Sequence, residues 1–181
     1  MLDYDVTPTI KLRQPDPQQD AGPLFSLLMG AQLQYQYYLP WVAKIKTVAD
    51  EKDFLQLAEQ QLLQRTALNL VIEVDHEVAG MISCDHFDEH DRSANVGYWL
   101  GARFQGRGVM TIAVRGICAL GFEQYHRQSL MICAAVDNQA SNAVAQRAGF
   151  KFSAMRPNGQ HLLEGDHDEN VYVFRLLDWE K

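Results

Sequence analysis

The sequence predicts an α+β fold, a mixed and mostly antiparallel sheet around one central βαβ unit, and three observations carry that expectation. Two strand-like runs, residues 69–74 and 78–84, flank the short turn Asp75-His76-Glu77, which is the pattern of an antiparallel hairpin. A third run, residues 95–100, leads through a glycine turn into a helical pattern beginning at Val109. Beyond that helix, residues 130–136 are almost continuously apolar over the length of one strand, which suits a strand buried on both faces beside a crossover helix. Strand, turn, helix and strand make a parallel unit in a sheet otherwise built by hairpins.

The remaining elements follow in order. Residues 10–13 read as a first strand, and the proline-containing stretch 14–17 leads to a helix at 21–29. Residues 50–65 form a second amphipathic pattern, with Phe54, Leu57, Ala58, Gln61, Leu62 and Arg65 spaced for one buried face. In the crossover helix Val109, Ile112, Ala113, Ile117 and Leu120 mark the buried stripe as far as about Tyr125. Gly116 and Gly121 cost that helix ~1 kcal/mol each against alanine, which implies close packing on the sheet. A further helix over 139–148 ends at Gly149, a natural left-handed stop. Residues 150–156, 161–163 and 171–177 read as closing antiparallel strands.

The 181 residues, 47% of them apolar, fit a single domain spanning 1–181. No run of 18 apolar residues is present, and Met1-Leu2-Asp3-Tyr4-Asp5 lacks the basic-then-apolar pattern of a secretory signal, so a cytoplasmic location is expected. Cys84, Cys118 and Cys133 are widely spaced among apolar neighbours and read as buried thiols, neither a disulfide frame nor a metal site. A net charge of −7 argues against binding duplex nucleic acid and suits a cationic acceptor.

Arg103-Phe104-Gln105-Gly106-Arg107-Gly108 lies between the third strand and the crossover helix, where two glycines and the free N–H groups of a helix start form a candidate anion cradle. The glycine spacing is the reverse of a dinucleotide fingerprint. A triphosphate loop would need Lys and Ser or Thr where Arg107 and Gly108 stand. A plain strand-to-helix turn is the remaining alternative. Two further patterns bear on the choice: Asn95-Val-Gly-Tyr-Trp-Leu-Gly101, and the run D-N-x-x-S-N-x-V-A-x-R-x-G-F from Asp137 to Phe150.

Taken together, with Asn170-Val171-Tyr172 near the end, these residues resemble the GNAT acetyltransferase superfamily. Within it they are similar to the Rim-type enzymes, RimL above all, that acetylate N-terminal amines of ribosomal proteins. The resemblance runs from about Thr9 to the C-terminus and is dense between Val78 and Phe150. It implies the GNAT fold, in which the strands flanking the cradle helix splay apart, and acetyl-CoA as cosubstrate without a metal. Cofactor contacts would then fall to Tyr98, Trp99, Leu100, Arg103, Gln105, Gly106, Arg107, Gly108, Val109, Asn138 and Asn142, with a backbone N–H near Trp99 or Leu100 polarising the thioester carbonyl. The resemblance places Ser141 beside the sulfur as a proton or hydrogen-bond donor. The alternatives are an N-cap for Asn138, an early-helix serine for Ser141 and a sheet contact for Asn142.

The sequence departs from that pattern at the general base. Asn95 and Gln160 stand where Rim-type enzymes carry carboxylates, and neither amide takes up a proton at neutral pH. His161, Glu164, Asp166 and His167 are nearby substitutes, with a solvated loop as the alternative reading. The expected reaction is direct attack of a primary amine on acetyl-CoA in a ternary complex, and an α-amine fits a missing base better than lysine does. A small amine such as a polyamine or aminoglycoside is the second acceptor class. A non-catalytic acyl-CoA-binding module is the alternative function, and a homodimer the expected assembly. Tyr35, Tyr37, Tyr38, Trp41 and Phe54 form an aromatic region suited to an acceptor wall, a core or a dimer contact. The acidic and histidine-containing stretches 84–91 and 161–167 fit no tight metal-ligand spacing.

Overall fold

Asp75 and His76 both take positive φ, 49° and 66°, the backbone hand that matches strand twist in a two-residue hairpin. They join β3 (Leu68–Val74) to β4 (Glu77–Asp85), as the alternating pattern predicts. The structure is a computed structural model that describes residues 2–179. Preceding the hairpin are β1 (Asp3–Asp5) and β2 (Ile10–Arg13); following it are β5 (Ser93–Leu100), β6 (Ser129–Ala135), β7 (Lys151–Leu162) and β8 (Gly165–Arg175). These form one eight-stranded sheet in the order β1-β2-β3-β4-β5-β6-β8-β7. Among the described residues β5 and β6 make its one parallel pair, and the other neighbours are antiparallel.

Alternate residues of the central strands enter two different cores, which is why those strands read as nearly unbroken apolar runs. Leu70, Ile72, Ile82 and Cys84 face α4 (Val109–Ala119), whose Ala113, Val114 and Ile117 are fully buried. Val71, Met81 and Trp99 face α1 (Ala21–Gly30) and α3 (Val48–Gln64). Between these two helices come α2 (Gln32–Tyr38) and a 3₁₀ turn at Pro40–Lys44, neither of which the sequence reading assigned. The chain enters α1 through Arg13, which grips the buried carboxylate of Asp20 with two guanidinium bonds of 2.7 and 2.8 Å and bonds Glu73 at 2.7 Å.

Gly116 of α4 explains its helix flaw, since a Cβ there would lie 2.5 Å from Val6 Cγ2. The helix then widens into a π turn at Leu120–Gln124, so the single helix expected to Tyr125 is a composite. In α3, Thr47 and Asp50 form a capping box, but the buried face differs from the expected one. Leu55 and Ala58 are fully buried with Glu51, whereas Leu57 is half exposed and Phe54 lies at the margin. The expected runs 150–156 and 161–163 merge into the one strand β7, which joins β8 at residues 163–164, and β8 begins at Gly165 rather than at 171. The expected strand ending at Leu177 instead turns at Leu176 into α6 (Leu176–Trp179).

Candidate active site

β5 and β6 run side by side only at Ser93–Ser129, Ala94–Leu130 and Asn95–Met131, and then part. On its other edge β5 stays paired with β4 as far as Leu100, opposite Gly80. Gly101 N–H bonds Ala79 C=O at 2.7 Å, and antiparallel alternation therefore turns the peptide groups of Trp99 and Gly97 toward β4 and those of Tyr98 and Leu100 toward the gap. This sharpens the expectation: the Trp99 peptide belongs to the sheet, while its neighbours on either side face the opening. The Leu100 carbonyl already accepts from Tyr35 OH at 2.9 Å and Gln105 Nε2 at 2.8 Å. Among the described residues, the two groups of Tyr98 and the N–H of Leu100 are left unmatched in the gap.

The gap opens into a cavity of about 820 Å³. β5 and β6 line it, the start of α4 closes one side, and Tyr35 and Tyr38 of α2 close another. Ser141 lines it from α5 (Gln139–Ala148). Gly106 and Gly108 sit at the rim with φ of 71° and 78°, and a Cβ on either would meet nothing within 4 Å. Gly108 caps α4 without any side-chain bond to its first N–H groups. Those donors therefore stay available beside open space, as an anion cradle requires. Val109 and Gln105 line the cavity too, whereas Arg103 and Arg107 do not. Arg103 lies 2.7 Å from Glu77 and its guanidinium covers the Phe104 ring.

The Ser141 hydroxyl lies 2.9 Å from Tyr98 OH, which is also 3.3 Å from the Ser141 carbonyl. Burial pushes the Tyr98 phenol up to about 12, opposed in part by the Ser141 hydrogen bond, so both groups are neutral hydroxyls at physiological pH. Asn138 caps α5, its Oδ1 accepting from Ser141 N–H at 3.1 Å, and still lines the cavity. Asn142 takes the sheet alternative. Its amide donates to the Ala135 and Asn138 carbonyls and accepts from Asn170 and Tyr172, and it does not line the cavity.

Of the candidate bases, His161, Glu164 and Asp166 lie at the exposed β7–β8 tip, where His161 Nδ1 is 2.7 Å from Asp166. His167 sits 3.6 Å from Asp137, which accepts from Tyr37 OH at 3.3 Å. None of the four lines the cavity, nor does Asn95; Gln160 does. Among the described residues the lining contains no Asp, Glu or His, and Arg147 is its one charged side chain. Tyr37, Trp41 and Phe54 also stand away from it, so of the expected aromatic region Tyr35 and Tyr38 line the cavity. Two groups escaped the sequence reading. The Tyr98 side chain was passed over for its backbone, and Glu169 is a buried carboxylate bonded to Gln160. Its one sequence signal was a carboxylate next to the Asn170-Val171-Tyr172 motif.

No helix among the described residues is long and apolar enough to cross a membrane, and no three His, Cys, Asp or Glu side chains gather there as a metal site needs. Residues 9–151 match the family model of the acetyltransferase (GNAT) domain. YdaF of Bacillus subtilis (strain 168), whose name assigns it provisionally to ribosomal N-acetylation, is 29% identical over 174 residues, covering 95% of this chain and 93% of its own. The ribosomal-protein-serine acetyltransferase of Escherichia coli (strain K12) is 27% identical over 157 residues, covering 86% and 87%. Among solved structures, RimL, a ribosomal L7/L12 alpha-N-protein acetyltransferase in complex with coenzyme A, superposes with a TM-score of 0.92 at 25% identity over 98% of this chain and 99% of that one. With the splayed strands, the free helix start and a match over most of its length, the chain belongs to the acetyltransferase (GNAT) family and is an acetyl-CoA-dependent N-acetyltransferase.

Proposed function

We propose that the acceptor is the N-terminal α-amine of a protein, a ribosomal protein as the names of the relatives suggest, attacked directly in a ternary complex. The observation that carries this reading is a cavity that no Asp, Glu or His lines among the described residues. At neutral pH an α-amine with pKa ~7.7–8.0 is neutral a few hundred times more often than a lysine with pKa ~10.4, so an α-amine needs far less help in losing its proton. A polyamine would also want carboxylates around its second charge, and the lining supplies none. The names of these relatives, all ribosomal acetyltransferases and RimL an alpha-N-protein one, support the same acceptor.

Acetyl-CoA brings an acetyl thioester to the site. In this reading Gly106, Gly108 and the first N–H groups of α4 hold its pyrophosphate, while the N–H and C=O of Tyr98 receive its pantetheine amides as another strand would. The Leu100 N–H polarises the thioester carbonyl without reorganising, because β4 already fixes β5. As the C–N bond forms and the C–S bond breaks, Ser141 gives its proton to the departing sulfur, and the proton shed by the attacking nitrogen restores the serine. Tyr98, which keeps its proton, then bonds the Ser141 oxygen so that the serine hydrogen is free to point into the cavity. Thiol release from acetyl-CoA tests the proposal when followed across N-terminal peptides, lysine side-chain peptides, polyamines and aminoglycosides. Peptides with free α-amines should give the highest kcat/KM. Turnover confined to polyamines would assign the second acceptor class, and no turnover with any amine would leave a binding module.

A further inference from the structure

Gln160 lines the cavity from β7 and stands opposite His167 of β8. Its Nε2 donates to Glu169 Oε1 at 2.5 Å, and Glu169 is only 5% exposed. That bond sets the orientation of the amide, with the donor Nε2 toward the Glu169 oxygen. The polar atom left for the cavity is Oε1, an acceptor. Three other features surround the carboxylate. Arg156 donates to its Oε2 at 3.4 Å. The Cys133 thiol, raised to about 11 chiefly by burial and in part by the charge of Glu169, stays protonated and adds no second negative charge. Gly159 allows the bulge of β7 to close over it, since a Cβ there would lie 2.7 Å from Glu169 Cβ.

We propose that Glu169 is a positioning residue that orients Gln160, and that Gln160 Oε1 accepts a hydrogen bond from the acceptor's primary amine. The amine is thereby fixed by a dipole that cannot take its proton, and its nitrogen is directed toward the gap between β5 and β6. This rests on the reading of the protein as an α-amine acetyltransferase. It assigns the amine-binding contact to a glutamine whose direction is set by a carboxylate behind it, outside the cavity lining.

Steady-state kinetics with an N-terminal peptide at saturating acetyl-CoA test the assignment. Gln160→Ala should raise the peptide KM roughly tenfold, with calorimetric CoA affinity unchanged. Glu169→Gln, nearly isosteric, should raise KM similarly because either orientation of Gln160 is then allowed. The double variant should be no worse than Gln160→Ala alone, since one residue acts through the other. Multiplying effects would overturn the proposal, as would an unchanged KM in Gln160→Ala. So would a kcat/KM profile in which Glu169→Gln loses an ionisation present in wild type, because Glu169 would then be taking the proton itself. If Glu169→Gln does not fold, Gln160→Glu serves instead. Two adjoining carboxyls cannot both ionise freely, so its profile should gain an ionisation, and failure to gain one would count against the contact. If wild type turns over small amines and no peptide, the acceptor reading fails; the same cycle run on that amine then decides the Glu169 assignment separately.

Discussion

The Tyr98 and Ser141 hydroxyls share one hydrogen bond of 2.9 Å, so each substitution has a distinct expected signature. Ser141→Ala should lower kcat roughly a hundredfold while leaving the Kd for CoA within about twofold, because a donor to a departing thiolate acts mainly in the transition state. Tyr98→Phe keeps the serine donor and should cost less. Equal turnover in wild type and Ser141→Ala would reduce the serine to a helix-start residue. A second residue-scale expectation concerns stability. Glu51 is 1% exposed, its Oε2 has no hydrogen-bond partner, and burial raises its pKa to about 7 from an ordinary 4.5. Between pH 4.5 and 7 the folded protein holds a proton that the unfolded chain has released, so stability falls as pH rises and levels off above 7. The loss is at most roughly 3 kcal/mol, since the positive end of α3 opposes it. Glu51→Gln should therefore be the more stable protein in urea melts at pH 8 and nearly equal to wild type at pH 5.

The start of α4 ties backbone hand to ligand space. Gly108 at φ 78° has room for a side chain but the wrong hand for one, and the room is where the pyrophosphate is proposed to lie. Gly108→Val should weaken CoA binding more than tenfold by calorimetry. The left-handed strain of about 1–2 kcal/mol should also lower Tm by a few degrees. Unchanged CoA affinity in a folded variant would exclude the cradle from cofactor binding. This element was legible in the sequence because its glycines do a backbone task that a motif records. The face of α3 was not. Apolar residues at 54, 55, 57, 58, 62 and 63 offer two overlapping stripes, and the sheet takes the one containing Leu55 and, against its type, Glu51. The extent of β7 was hidden as well, because Pro157-Asn158-Gly159 reads as a break. On the last strand of a sheet a proline faces no partner that needs its N–H, and the three residues are absorbed as an irregularity. Likewise Gln160 was noted for the carboxylate it lacks, whereas its partner Glu169 is nine positions away and meets it only through β7–β8 pairing.

For the molecule as a whole, the sheet is interrupted where the facing edges of β5 and β6 part beyond Asn95 and Met131. A ligand that binds the folded state alone stabilises it, and CoA at about a hundred times its Kd should add ~2.7 kcal/mol, raising Tm by roughly 5–10 °C for a chain of this size. A thermal shift absent at saturating CoA would contradict the proposed cofactor contacts. The alternation along β5 has a sharper consequence, readable as isotope exchange. Without ligand, the Tyr98 and Leu100 amides face the opening and should trade hydrogen for deuterium quickly, while Trp99 between them, bonded toward β4, should trade slowly. Once CoA is present the fast pair should slow and Trp99 should barely change, so three consecutive amides would report occupancy as a fast-slow-fast signal that flattens.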